Sequence, residues 1–124
     1  MKTILAVGAA GAVGAVVRTL IGFVLPATNG FPTGTFIVNI SGTFILCFLV
    51  ERTLHLTLVN KTAYDAITVG FLGAFTTFSA FSYETFTLFE SNLAMAIVYV
   101  LSSIVLGLFA GAFGFRLGGR GRTE

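Results

Sequence analysis

The most constraining feature of the chain is an apolar run that undermines its own helix. Eighteen uncharged residues, Ala66–Tyr83, lie between Asp65 and Glu84, and Gly70 to Thr85 reads GFLGAFTTFSAFSYET. Two glycines, two adjacent β-branched threonines and two serines stand where a plain membrane helix carries Leu and Ile. Irregular backbone inside a bilayer strands N–H and C=O groups at high cost unless protein, water or an ion satisfies them. A helix broken at mid-depth is therefore a candidate ion-binding element. The break is expected at Gly73 to Thr77.

Composition puts this run in a membrane. Of 124 residues, 56% are hydrophobic and 10% charged, against about 25% charged in soluble domains. Hydropathy gives four spans, 3–25, 31–50, 62–85 and 93–117, joined by short connectors within one domain. Each is close to the roughly 20 residues that cross a hydrocarbon core. The first reads as a span, because it lacks the flanks and cleavage site of a removable signal peptide. The net charge of +2, with basic residues scattered or gathered in the tail, gives no support to nucleic-acid binding. Cys47 is a lone cysteine and His55 a lone histidine in a polar loop. Neither has a metal-site or catalytic companion, so no enzyme site is expected.

Lys2, Arg52, Lys61, Arg116, Arg120 and Arg122 fall on the side shared by both termini and the central loop, and the other side has no Lys or Arg. The bias predicts cytoplasmic termini. Small residues recur at four-residue spacing: Gly8 and Ala12, Ala10 and Gly14, Gly14 and Gly22 about Arg18, and Ser103, Gly107 and Gly111. Such stripes let helices approach closely, either within the chain or with a partner. Four close-packed helices have no spare circumference for a wide pathway, so an ion route is narrow or lies between subunits.

The run GFLGAFTTFSAFSYET resembles the third-helix signature of the CrcB/Fluc fluoride channels, G-x-x-G-G-x-T-T-F-S-T-F-S-x-E. GTFIVNISGTF, Gly34 to Phe44, is similar to their second-helix motif, with Asn39 at the polar position, and AGAVGAVVR, Ala10 to Arg18, to their first-helix G-G-x-x-G-A-x-x-R. Ala10 and Ala74 each replace a glycine of a Gly-Gly pair, and Ala80 stands where Thr or Ser is usual. The resemblance covers essentially the whole chain. It implies an all-α membrane protein of the cell membrane with a broken third helix, an antiparallel dual-topology dimer, two fluoride pores and a structural sodium ion on the dimer axis. It assigns the sodium ligands to the backbone carbonyls of Gly73 and Thr76, where a kink relieved by water is the plainer reading of the residues alone. It sets Phe78 and Phe81 facing the pore, and Glu84 at a vestibule. The implied role is passive, electrogenic fluoride export.

The residues suit that chemistry. Fluoride is strongly hydrated, so a pore must replace its water with donors. Asn39 offers an amide NH₂, although it could equally bond a neighbouring helix. Thr77, Ser79, Tyr99 and Ser103 supply hydroxyls, and Tyr99, Ser103 and Gly107 share one helix face. Aromatic rings have positive edges that can hold an anion. Among fourteen phenylalanines, only motif context singles out Phe78 and Phe81. Arg18, the sole in-span basic residue, either draws anions into a vestibule or pairs with a carbonyl or Glu84.

The rival reading is a four-span proton-coupled exporter of cationic drugs, which needs a carboxylate inside the membrane. Glu51, Asp65, Glu84, Glu90 and Glu124 are expected at span ends or outside. The six-to-none basic bias sits awkwardly with a homodimer inserted both ways. The chain either pairs with itself, the reading favoured here, or with an oppositely biased homologous subunit.

Overall fold

The computed structural model describes residues 1–54 and 60–121; His55, Arg122 and Glu124 lie outside the described residues. Its helices are α1 (Lys2–Val24), α2 (Thr33–Thr53), α3 (Lys61–Asp65), a π-helical segment (Ala66–Phe71), α4 (Leu72–Phe75), α5 (Phe78–Ser91) and α6 (Leu93–Gly118). The pieces from Lys61 to Ser91 form one span, so four segments are long and apolar enough to cross a membrane. No strand occurs among the described residues. The chain is a four-span, all-α, multi-pass membrane protein.

Between α1 and α2 the chain turns at Asn29-Gly30. Thr28 and Phe31 exchange backbone bonds of 3.0 and 2.9 Å, with φ of 52° at Asn29 and 87° at Gly30. Positive φ at both central residues is the type I′ turn that Asn-Gly favours. Asn92, between α5 and α6, caps α6 by accepting from the Met95 N–H.

The start of α1, the end of α2, the start of α3 and the end of α6 lie at one end. The hydroxyls of Thr3 and Thr62 bond at 3.0 Å, and Gly118 faces the Phe48 carbonyl and Glu51. Lys2, Arg52, Lys61, Arg116 and Arg120 therefore gather at that end, as the charge pattern requires.

Two glycine seams draw the helices together. A β-carbon at Gly114 would stand 2.5 Å from the Phe44 carbonyl oxygen, and one at Gly118 would stand 2.7 Å from that of Phe48. This is the seam between α2 and α6. On the other side, Gly14 of α1 abuts the Phe71 backbone, and Gly70 meets the Val7 carbonyl, 2.5 Å from where a β-carbon would sit. The expected stripes thus divide: Gly14 and Gly111 pack inside the chain, while a β-carbon at Gly8 or Gly22 would meet nothing among the described residues. The buried core is small, Val38, Leu72 and Phe75 in one cluster and Leu88, Ala96 and Tyr99 in another. Most large apolar side chains point outward, as a lipid solvent permits.

The third span departs from expectation in three ways. Gly73 is helical, and the extended backbone is confined to Thr76 (φ −77°, ψ 155°) and Thr77 (φ −149°, ψ 120°). Two β-branched residues settle into extended geometry readily, because branching at Cβ favours it. A π-helical segment precedes the break, closed by the Leu72 N–H on the Ile67 carbonyl; nothing in the composition signals it. Finally, the span runs on to Ser91. Glu84 is consequently an interior residue of α5, half-buried, and does not end the span. The hydroxyls of Thr87 and Ser91 bond back to the carbonyls of Tyr83 and Thr87. Those polar residues thereby lower their cost in apolar surroundings, and the helix outlasts the strictly apolar run.

Candidate functional site

Asn39 and Thr77 are the centre of the site. The Asn39 Nδ2 donates to the Thr77 carbonyl at 3.0 Å, and its Oδ1 accepts from the Thr77 N–H at 2.8 Å. The side-chain oxygen thus replaces the acceptor that the Thr77 N–H has lost, and the side-chain nitrogen adds a donor to the Thr77 carbonyl, which as the N-cap of α5 opens that helix. Buried backbone groups left unpaired would each cost about 1–3 kcal/mol. The neighbouring-helix reading of Asn39 is realised, yet half of the NH₂ remains unspent, because the amide carries two N–H groups.

The break redirects two amides, the Thr77 N–H just described and that of Ala80. In an unbroken helix the Gly73 carbonyl would accept from the Thr77 N–H and the Thr76 carbonyl from the Ala80 N–H. Here the first goes to Asn39 and the second to the Thr77 hydroxyl at 3.2 Å, which caps α5. The carbonyls of Gly73 and Thr76 are therefore released from the ladder, along with those of Ala74 and Phe75 between them, which receive no backbone donor across the break among the described residues.

A cleft of about 410 Å³ opens at this point, lined by Asn39, Gly42, Thr43, Thr68, Gly73, Thr76, Thr77, Phe78, Phe81 and Ser103 among others. It brings together seven residues singled out in the sequence: Gly73, Thr76, Asn39, Thr77, Phe78, Phe81 and Ser103. Its polar atoms fall into two sets. The hydroxyls of Thr43, Thr68 and Thr76 already donate to the carbonyls of Asn39, Tyr64 and Leu72, so they offer only lone pairs. Ser103 Oγ is buried without a partner, and one Asn39 N–H is unspent, both among the described residues. Phe78 and Phe81 are neighbours, centroids 6.0 Å apart and planes tilted by 35°. Phe78 is 80% exposed on the single chain.

Tyr99, Ser79, Arg18 and Glu84 lie elsewhere. Tyr99 is fully buried behind Phe81, with ring centroids 5.2 Å apart, and its hydroxyl donates to Glu84 Oε2 at 2.7 Å. Thr35 donates to Glu84 Oε1 at 2.6 Å. Glu84 lines a second cleft of about 260 Å³ beside the α1–α2 connector, with Tyr83, Thr87 and Gly34. Ser79 shares a 3.1 Å bond with the Thr77 hydroxyl. Arg18, half-buried in α1, makes no hydrogen bond or ion pair among the described residues, so its pairing with Glu84 or a carbonyl is absent.

The sequence reading missed Thr35, Gly42 and Thr43. A signal existed, because Thr35, Asn39 and Thr43 are spaced by four and share one face of α2, and Gly42 lies one turn after Asn39.

Fold and site together define a four-span membrane protein whose third span is interrupted by two extended threonines held by a side-chain amide from the second. The family model described as CrcB-like protein, Camphor Resistance (CrcB), matches residues 5–115, and the chain belongs to that family. It is 43% identical over 122 residues to the fluoride-specific ion channel FluC of Geobacter sulfurreducens, covering 94% of this chain and 98% of that relative. It is 47% identical over 92 residues to the protein of the same name from Methanococcus aeolicus, covering 74% of each. With that from Methanopyrus kandleri it shares 38% over 109 residues, 88% of this chain and 83% of the relative.

Proposed function

We propose that the chain is a fluoride-selective channel conducting passively and electrogenically, as an antiparallel dimer with a structural sodium ion between its subunits. One observation carries this: at the break, the unspent Asn39 N–H and the unpartnered Ser103 hydroxyl share one cleft with Phe78 and Phe81. Those are donors without competing acceptor partners, beside rings whose edges are positive. Fluoride leaving water needs such donors, and larger halides gain less from a narrow set of them. The names of the relatives support the same ion.

A second copy is supported by the exposure of Phe78. Apposed copies would cover Phe78 and let each cleft be completed from the other subunit. A homologous subunit of opposite charge bias is the alternative partner, and crosslinking of single-cysteine variants scored from both membrane faces distinguishes the two.

The break also suits sodium. A hard cation takes oxygen ligands, and the carbonyls of Gly73 and Thr76 are free of helical donors. These residues would hold the ion, which would supply fixed positive charge at the subunit interface.

Glu84 lies inside the third span, which is the one observation favouring a proton-coupled cation exporter. Both of its oxygens are engaged by hydroxyl donors, which supports a positioned carboxylate over a substrate exchanger. Ion efflux from liposomes is the test. The channel reading expects fast fluoride loss that generates a membrane potential, with almost no chloride loss. Proton-coupled movement of an organic cation, without fluoride loss, would replace it with the exporter.

A further inference from the structure

We propose that Gly42 is a positioning residue for the sodium-binding break, acting through the methyl group of Thr76; this rests on the sodium reading above. Asn39 holds Thr77 from one turn of α2, and Gly42 receives Thr76 at the next. A β-carbon added at Gly42 would overlap Thr76 Cγ2, and would also stand 3.3 Å from Phe75 Cδ1. The Phe75 ring edge can yield by a few tenths of an ångström, but the methyl cannot. Its direction is set by the Thr76 hydroxyl, which donates to the Leu72 carbonyl at 2.9 Å, while the Thr76 N–H bonds the same oxygen at 3.0 Å. With side chain and amide both tied to Leu72, the methyl must enter the space that Gly42 leaves empty.

The consequence falls on the Thr76 carbonyl. Any side chain at position 42 forces Thr76 either to abandon its hydroxyl bond or to shift its backbone. The second course moves the carbonyl released at the break. Thr76 is exposed to this because its ψ of 155° leaves no helical bond to hold the carbonyl in place. Serine at position 76 would keep the hydroxyl bond and lose the offending methyl. Gly42→Ala and Thr76→Ser should therefore be complementary.

The test compares wild type, Gly42→Ala, Thr76→Ser and the double variant as full-length protein. Thermal unfolding in detergent is followed while sodium replaces potassium at constant ionic strength, and fluoride efflux from liposomes over the same sodium range. Sodium that binds the folded state raises its stability with concentration. Thr76→Ser sets the reference for the double variant, as wild type does for Gly42→Ala. Gly42→Ala should need about tenfold more sodium than wild type, in keeping with the cost of overpacking a tight contact, and the double variant should match Thr76→Ser. A wild-type sodium response in Gly42→Ala would overturn the proposal, as would a double variant no better than Gly42→Ala. If Gly42→Ala does not survive purification, recovery in the double variant supports the proposal and continued loss overturns it. If wild type shows no sodium response, the sodium reading falls, and restored fluoride efflux in the double variant alone decides whether Gly42 positions Thr76.

Discussion

Helix α2 makes two close contacts of opposite character. Against α6 it meets glycines, with Gly114 and Gly118 brought onto the carbonyls of Phe44 and Phe48. Against the break it meets polar backbone, with the Asn39 amide bonded to both sides of Thr77 and Gly42 admitting the Thr76 methyl. The first contact is van der Waals packing between two intact helices, which is how helices associate where lipid removes the hydrophobic drive. The second keeps non-helical backbone tolerable at membrane depth by giving the Thr77 N–H an acceptor in place of the one that the helix lost. A glycine serves both, but for different reasons: at Gly114 it lets backbones touch, and at Gly42 it leaves room for one rotamer of one residue.

The polar contact should be the more sensitive for conduction. Asn39→Asp removes the donor to the Thr77 carbonyl and sets a negative charge beside the anion path. Fluoride efflux should fall about 100-fold or more, the rate equivalent of roughly 2.7 kcal/mol, and Asn39→Ser should lose less. Wild-type efflux from the aspartate variant would show that Asn39 does not touch the path. Phe81→Ile keeps apolar volume but removes the ring edge. Its efflux should drop about tenfold, and the lost ring pairs with Phe78 and Tyr99 should cost about 0.5–1.5 kcal/mol of stability. Undiminished efflux would remove the ring from the mechanism.

The apolar contact should show the reverse pattern. Gly114→Leu overpacks the α2–α6 seam and should cost about 1–3 kcal/mol of stability, read by thermal unfolding in detergent. The surviving protein should keep its preference for fluoride over chloride; a changed preference would mean that the seam shapes the pathway. Thr35→Ala removes one of two donors to Glu84 and should cost about 1 kcal/mol, less than the seam variant. The smallest effect belongs to Gly8→Ala, whose added methyl meets nothing among the described residues and should change stability by at most about 0.5 kcal/mol. A larger loss there, with dissociation of the dimer, would put the second copy on that face of α1.

The two contacts also differ in how far they could be read beforehand. The α6 stripe of Ser103, Gly107 and Gly111 was legible from its spacing by four, but Gly114 and Gly118, which make the closest contacts of the seam, were not singled out. Which stripes would be used inside the chain was not legible: Gly14 packs on Phe71, whereas a β-carbon at Gly8 or Gly22 would meet nothing among the described residues. At the break, Asn39 and the paired threonines were conspicuous as polar residues in apolar runs. That the amide of one would hold the backbone of the other required their helices to be side by side, as did the engagement of Glu84 by Thr35 and Tyr99. Glu84 itself was misplaced at a span end, because hydropathy ends where charge begins. A helix continues for as long as its threonines and serines can bond back to it.

Sequence alone determined four spans, their common basic end and the weakness of the third, because hydropathy, charge and β-branching are properties of residues and their near neighbours. Only the tertiary structure decided where that weakness broke, at Thr76 and Thr77 with Gly73 still helical, and which donors stayed free in the cleft. The physical reason is pairing across distance. A backbone bond lost in a membrane is tolerated only where another helix restores it, and Asn39 restores it from 38 residues away.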